Sequence, residues 1–102
     1  MGARSNIELK YEKGQPSVFI YSHWDSDKEL QAKLRIALAR KQRWDDAPYL
    51  SRIIFCAVLD GDINGETGYG LSPYPGEEGY PTTVVDLDAQ TVNGASFADF
   101  VK

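Results

Sequence analysis

Ser26–Arg40 reads SDKELQAKLRIALAR, and this stretch decides the architecture because it describes a helix with two apolar sides. Ser26 followed three residues later by Glu29 is a capping box, which marks a helix start at about residue 27. Leu30, Leu34, Ala37 and Leu38 recur at the i, i+4, i+7, i+8 spacing of a buried stripe. Ala32, Ile36 and Ala39 form a second stripe on roughly the opposite side, free to meet another element or another chain. The helix is expected to end near residue 41.

Upstream, Ile7, Leu9 and Tyr11 alternate with Asn6, Glu8, Lys10 and Glu12, the period of a half-buried strand over 6–12. Lys13–Pro16 supplies turn chemistry, and Ser17–Tyr21 reads as the returning strand. Downstream, Asp45 and Asp46 are good N-terminal caps and Pro48 suits a first helical turn. Tyr49–Leu59 is apolar nearly all round, which predicts a central buried helix interrupted by Arg52, with Cys56 as inert packing. Residues 60–81 read as a long loop containing a short strand near Thr67–Leu71. A strand over Thr82–Asp88, a short one around Thr91-Val92, and a half-turn Phe97–Val101 capped by Ser96 complete the chain. The order ββααβββ predicts one α+β domain over residues 1–102, a small antiparallel sheet with two helices packed on one face.

Composition limits the function. Hydrophobic residues make up 42% and charged residues 25% of the 102 residues, the balance of a folded globular chain rather than a disordered one. No apolar run approaches the ~20 residues that span a bilayer, and MGARSNIELK lacks an apolar leader, so no membrane partner and a cytoplasmic location are expected. Residues 1–59 carry ten Lys/Arg against seven Asp/Glu, whereas 60–102 carry one Lys against eight Asp/Glu. The acidic second half repels a long polyanion, which argues against general DNA or RNA binding but leaves room for a small anion held by a few arginines. One cysteine excludes an intrachain disulfide, and one histidine excludes a His–His metal site.

Three clusters at element junctions carry the candidate chemistry: His23-Trp24-Asp25, Arg43-Trp44-Asp45-Asp46, and Gly65–Gly70. His23 lies between Ser22 and Asp25, a conceivable general base, yet no diagnostic nucleophile spacing or oxyanion motif accompanies it. No catalytic residue is therefore assigned, and a small His-dependent hydrolase is the weakest alternative. Arg52, two turns inside an apolar cylinder, must pair with Asp45, Asp46 or Glu66 or else reach a ligand phosphate. Trp44 or Tyr69 could floor such a pocket and stack on a base. Asp60, Asp62, Asn64 and Gly65 fit the start of a calcium loop, but Leu71 stands where a bidentate Glu belongs, so no metal or cofactor is expected. The candidate ligand-binding residues are Arg4, His23, Trp24, Arg43, Trp44, Arg52, Thr67 and Tyr69.

Gly2-x-Arg4-Ser-Asn6-Ile7, Tyr21-x-His23-Trp24, Arg43-Trp44-x-Asp46-x-x-Tyr49-Leu50-x-Arg52-Ile53-Ile54-Phe55 and Gly65-Glu-Thr-Gly-Tyr-Gly70 together resemble a group of small accessory proteins of bacteriophages and prophages, mostly of unassigned function. The resemblance covers roughly residues 2–88. It implies a protein made in an infected bacterial cytoplasm that interferes with a host pathway, such as counter-defence by sequestering a nucleotide signal. The expected function is non-enzymatic capture of a small phosphate-bearing or nucleotide-like ligand by a homo-oligomer. The alternative is a protein-binding inhibitor that docks its acidic C-terminal half on a host protein.

Overall fold

The computed structural model describes residues 4–76 and 79–102, so Gly2 of the N-terminal motif lies outside the described residues. The elements run β1 (Ser5–Lys10), β2 (Val18–Ser22), α1 (Asp27–Ala39), α2 (Ala47–Val58), β3 (Tyr69–Ser72), β4 (Thr82–Asp86), β5 (Thr91–Val92), β6 (Ala95–Ser96) and α3 (Phe97–Phe100). The fold is α+β, with α1 and α2 against one face of a six-stranded sheet ordered β3-β2-β1-β4-β5-β6. The short β6 extends the expected order, and the half-turn expected over Phe97–Val101 forms as α3, capped by Ser96.

The sheet is mixed rather than wholly antiparallel. β1 pairs β2 antiparallel but β4 parallel, with Asn6 beside Thr82 and Leu9 beside Val85. The reason is a crossover. β3 adds to the outer edge of β2, so the chain must return across the sheet to reach the free edge of β1. A strand reached by such a crossover runs parallel to its neighbour.

Strand alternation then sorts the side chains. Ile7, Leu9, Ile20 and Val85 face the helices and are buried, meeting Leu30, Leu34 and Leu38 of α1 and Leu50, Ile54 and Val58 of α2. The capping box forms as read: the Glu29 amide donates to Ser26 Oγ, and the Ser26 amide donates to Glu29 Oε1. Asp46 caps α2, where Pro48 occupies the first turn. Asn93 and Gly94, both at positive φ, turn the chain tightly between β5 and β6.

α2 is amphipathic rather than buried all round. Leu50, Ile53, Ile54 and Val58 are buried, but Tyr49, Arg52 and Cys56 are exposed. With the sheet beneath it and α1 alongside, one stripe of α2 is left facing outward. Cys56 and Arg52 fall on that stripe, which corrects both the packing role expected of the cysteine and the burial expected of the arginine.

Candidate functional site

The register of three neighbouring strands builds the site. Ser5 opposes Ser22 in the β1/β2 pair, so continuing the pairing by one residue sets Arg4 opposite His23. The Asn6–Thr82 pairing likewise extends to set Tyr80 beside Arg4, and the Pro81 carbonyl accepts the Asn6 amide at 2.9 Å. His23, Arg4 and Tyr80 thus form a row on the sheet face away from the helices. Tyr21, Asn6 and Thr82 form the row behind it.

Arg4 Nε donates to His23 Nδ1 at 3.1 Å, and Arg4 Nη1 donates to Tyr80 Oη at 2.9 Å. The guanidinium also lies 5.5 Å from the Tyr80 ring centroid. Tyr21 Oη is 3.1 Å from the same Nδ1. Because Nδ1 accepts from arginine, the neutral ring carries its hydrogen on Nε2. Trp24 packs its ring edge-to-face with His23 at 5.0 Å and remains 52% exposed. Its indole lies over Gly68 so closely that a Cβ at Gly68, whose φ is +102°, would collide with Nε1. The Gly68 carbonyl accepts the His23 amide at 2.8 Å, completing the link to the entrance of β3.

Asn6 is fully buried although it sits on the open face. The β3-to-β4 crossover covers it: the Gly76 amide donates to Asn6 Oδ1 at 2.9 Å, and Gly76 lies where any Cβ would strike the Tyr21 ring. Asn6 Nδ2 has no hydrogen-bond partner, an omission that costs about 1–3 kcal/mol.

The opposite face of the same end carries a second polar network. Alternation turns Ser22 toward the helices while His23 faces away, so these neighbours do not act on one another. Ser22 Oγ donates to Asp25 Oδ2 at 2.8 Å, Tyr69 Oη donates to the same oxygen at 3.1 Å, and Lys33 Nζ donates to it at 3.0 Å. Lys33 also donates to Tyr69 Oη and the Val58 carbonyl, and Ser5 Oγ donates to the Asp25 carbonyl. Burial is the largest influence on Lys33 and lowers its pKa, but bonds to Tyr69 and Asp25 and the Asp25 charge outweigh it, so the pKa rises above 10.5. This network ties β1, β2, α1, α2 and β3 together beneath the aromatic row.

The expected site residues therefore separate. Arg4, His23 and Trp24 come together, and exposed Thr67 adjoins Gly68 beside them. Tyr69 belongs to the Lys33–Asp25 network. Trp44 is structural, since Nε1 donates to the Leu38 carbonyl at 3.0 Å and its ring packs edge-to-face on Phe97. Arg43 and Arg52 line a shallow cleft of about 460 Å³ with Gln42, Tyr49 and Ile53. That cleft lies beyond the C-terminal end of α1, whose 13 residues separate it from His23 by roughly 20 Å. Asp46 pairs there with Arg43 at 3.5 Å, and among the described residues Arg52 forms no ion pair with Asp45, Asp46 or Glu66.

Tyr21, Asn6 and Tyr80 adjoin the cluster although they are not among the ligand-binding residues expected from the sequence. Tyr21 and His23 share a strand face at i, i+2, a signal available in principle, whereas Tyr80 reaches Arg4 only through the parallel pairing. A separate cleft of about 620 Å³ is lined by Glu12, Asp45 and Asp88 among others, a charge that disfavours an anion. Among the described residues no group of His, Cys, Asp and Glu is arranged to hold a metal ion, and no helix is long and apolar enough to cross a membrane. No protein-family model matches this sequence, and neither a curated protein nor a solved structure matches it.

Proposed function

We propose that the protein binds, without chemical turnover, a small phosphate-bearing or nucleotide-like ligand at the Arg4–Tyr21–His23–Trp24–Tyr80 cluster. The observation that carries this reading is Arg4 held between His23 and Tyr80 in a row of aromatic rings. A guanidinium offers charge and directional donors to phosphate, His23 Nε2–H adds a donor, and the half-exposed Trp24 ring offers a stacking surface for a base. Preorganisation supports it as well. The cross-strand register, two close glycine approaches and the Lys33–Asp25 network fix these side chains before any ligand arrives. The Arg43–Arg52 cleft is the less favoured position, because Asp46 shares its charge and the Arg43 guanidinium already covers the Tyr49 ring at 4.9 Å. The biological setting fits the resemblance noted above: sequestration of a nucleotide signal in a bacterial cytoplasm.

A panel of linear and cyclic nucleotides tests the reading by thermal shift and calorimetry. A ligand at ~100 times its Kd stabilises the fold by about 2.7 kcal/mol. Arg4→Ala and Trp24→Ala should each weaken that binding, whereas Arg43→Ala and Arg52→Ala should not. The reading fails if no nucleotide stabilises the protein or if the bound compound returns chemically altered. If Arg43→Ala and Arg52→Ala alone abolish binding, the site is the Arg43–Arg52 cleft.

A further inference from the structure

The outward stripe of α2 carries an unusual charge pattern. Arg52, Cys56 and Asp60 stand at i, i+4 and i+8, and all three are exposed. Asp60 directly follows the helix cap, with its amide still bonded to the Ala57 carbonyl. Among the described residues neither Arg52 nor Asp60 belongs to an ion pair. They cannot pair with one another, since Asp60 lies eight residues on from Arg52, two of them past the end of α2, a separation of roughly 12 Å. Beside the stripe runs a groove of about 500 Å³ between α1 and α2, lined by Ala37 and Ala57 together with the charged Lys33, Arg40 and Asp60. Ile36 stands at its rim, 66% exposed, a large aliphatic side chain with no core to enter.

We infer that this face is the interface of an isologous homodimer, in which α2 packs antiparallel on α2 of a second copy about a two-fold axis near Cys56. The charge pattern selects a second copy as the occupant. Positive and negative charges lie four residues to either side of Cys56, so a two-fold rotation there superposes each on its opposite. Arg52 of one protomer then faces Asp60 of its partner, and the pairing occurs twice. The same rotation brings each Ile36 toward the groove of the other protomer, where the alanines leave room for it. The exposed thiol, central to the seam, becomes part of an apolar contact. This surface is separate from the aromatic row at the far face of the sheet, so the dimer stands or falls independently of the ligand.

Sedimentation velocity over a concentration series, with charge reversals, tests the arrangement. The wild-type protein should dimerise in the micromolar range. Arg52→Asp and Asp60→Arg should each weaken the dimer by ~10-fold or more, because each places like charges opposite one another. The double variant Arg52→Asp/Asp60→Arg should recover most of the affinity, a rescue that a merely structural role would not produce. Mild oxidation should crosslink the wild-type dimer through Cys56. Because both charged residues are exposed, circular dichroism should show all variants folded. A wild-type monomer at ~100 μM, well above the Kd range at which specific dimers form, overturns the proposal. So does a double variant that dimerises no better than the singles.

Discussion

Removing the Lys33 ammonium is the most informative perturbation of the fold. Lys33→Met keeps the aliphatic stem but deletes donors to Asp25 Oδ2, Tyr69 Oη and the Val58 carbonyl, at 3.0, 3.0 and 3.2 Å. Asp25 is only 6% exposed, so its carboxylate cannot turn to water for compensation. Breaking a buried ion pair from one side costs about 3–5 kcal/mol. Two features favour the lower end: Asp25 keeps the Ser22 and Tyr69 hydroxyls, and the Lys33 side chain is 28% exposed. About 3 kcal/mol is expected, or roughly 12–24 °C in Tm for a domain of this size. Urea unfolding of wild type, Lys33→Met, Asp25→Asn and the double variant closes a mutant cycle with a coupling of about 1.5–3 kcal/mol. The exposed Arg43–Asp46 pair, at 3.5 Å, is the internal control and should couple by less than about 1 kcal/mol. If the Lys33–Asp25 coupling is no larger than that of the control, the network does not hold the five elements together and the reasoning is wrong.

Other outcomes follow from the same geometry. The raised Lys33 pKa means the charged form is favoured by folding, so its contribution is fully present below pH 10.5 and lost as pH climbs through the folded-state value above it. The stability gap between wild type and Lys33→Met, measured by urea titration, should therefore stay constant up to pH 10.5 and narrow beyond it. Gly68→Ala forces a methyl group into the Trp24 indole at a φ of +102° and should cost roughly 1–3 kcal/mol while shifting Trp24 fluorescence, read in a Trp44→Phe background. An unchanged emission spectrum would contradict the contact. Trp44→Ala should destabilise by about 3–5 kcal/mol in unfolding experiments and leave nucleotide affinity untouched at temperatures where the variant is folded. Calorimetric titration with millimolar calcium should show no saturable heat, given Leu71 in place of the bidentate ligand.

The sequence by itself determined what local physics controls. Period-two alternation over 6–12 and 17–21, the capping box at Ser26 and Glu29, and the Leu30–Leu38 stripe each depend on residues within a few positions of one another. All appear in the structure at nearly the expected bounds. His23 and Trp24 are legible as site candidates for the same reason, since they follow the end of a strand, and Arg4 is legible only as one of the arginines able to hold a small anion. What the tertiary structure decided was which distant residues meet. The parallel pairing of β1 with β4 brings Tyr80 beside Arg4 across 76 positions, and no local pattern encodes a crossover that passes over an open sheet face. Arg52 and Cys56 are exposed against expectation because hydrophobicity measures what a helix can bury, whereas the number of covered sides depends on its neighbours. α2 has a sheet below it and α1 beside it, and its third side faces outward. The sequence alone allows Arg43 and Arg52 to share one ligand site with the His23 cluster. Only the rigid length of α1, one rise of ~1.5 Å per residue, sets them at the far end of the molecule.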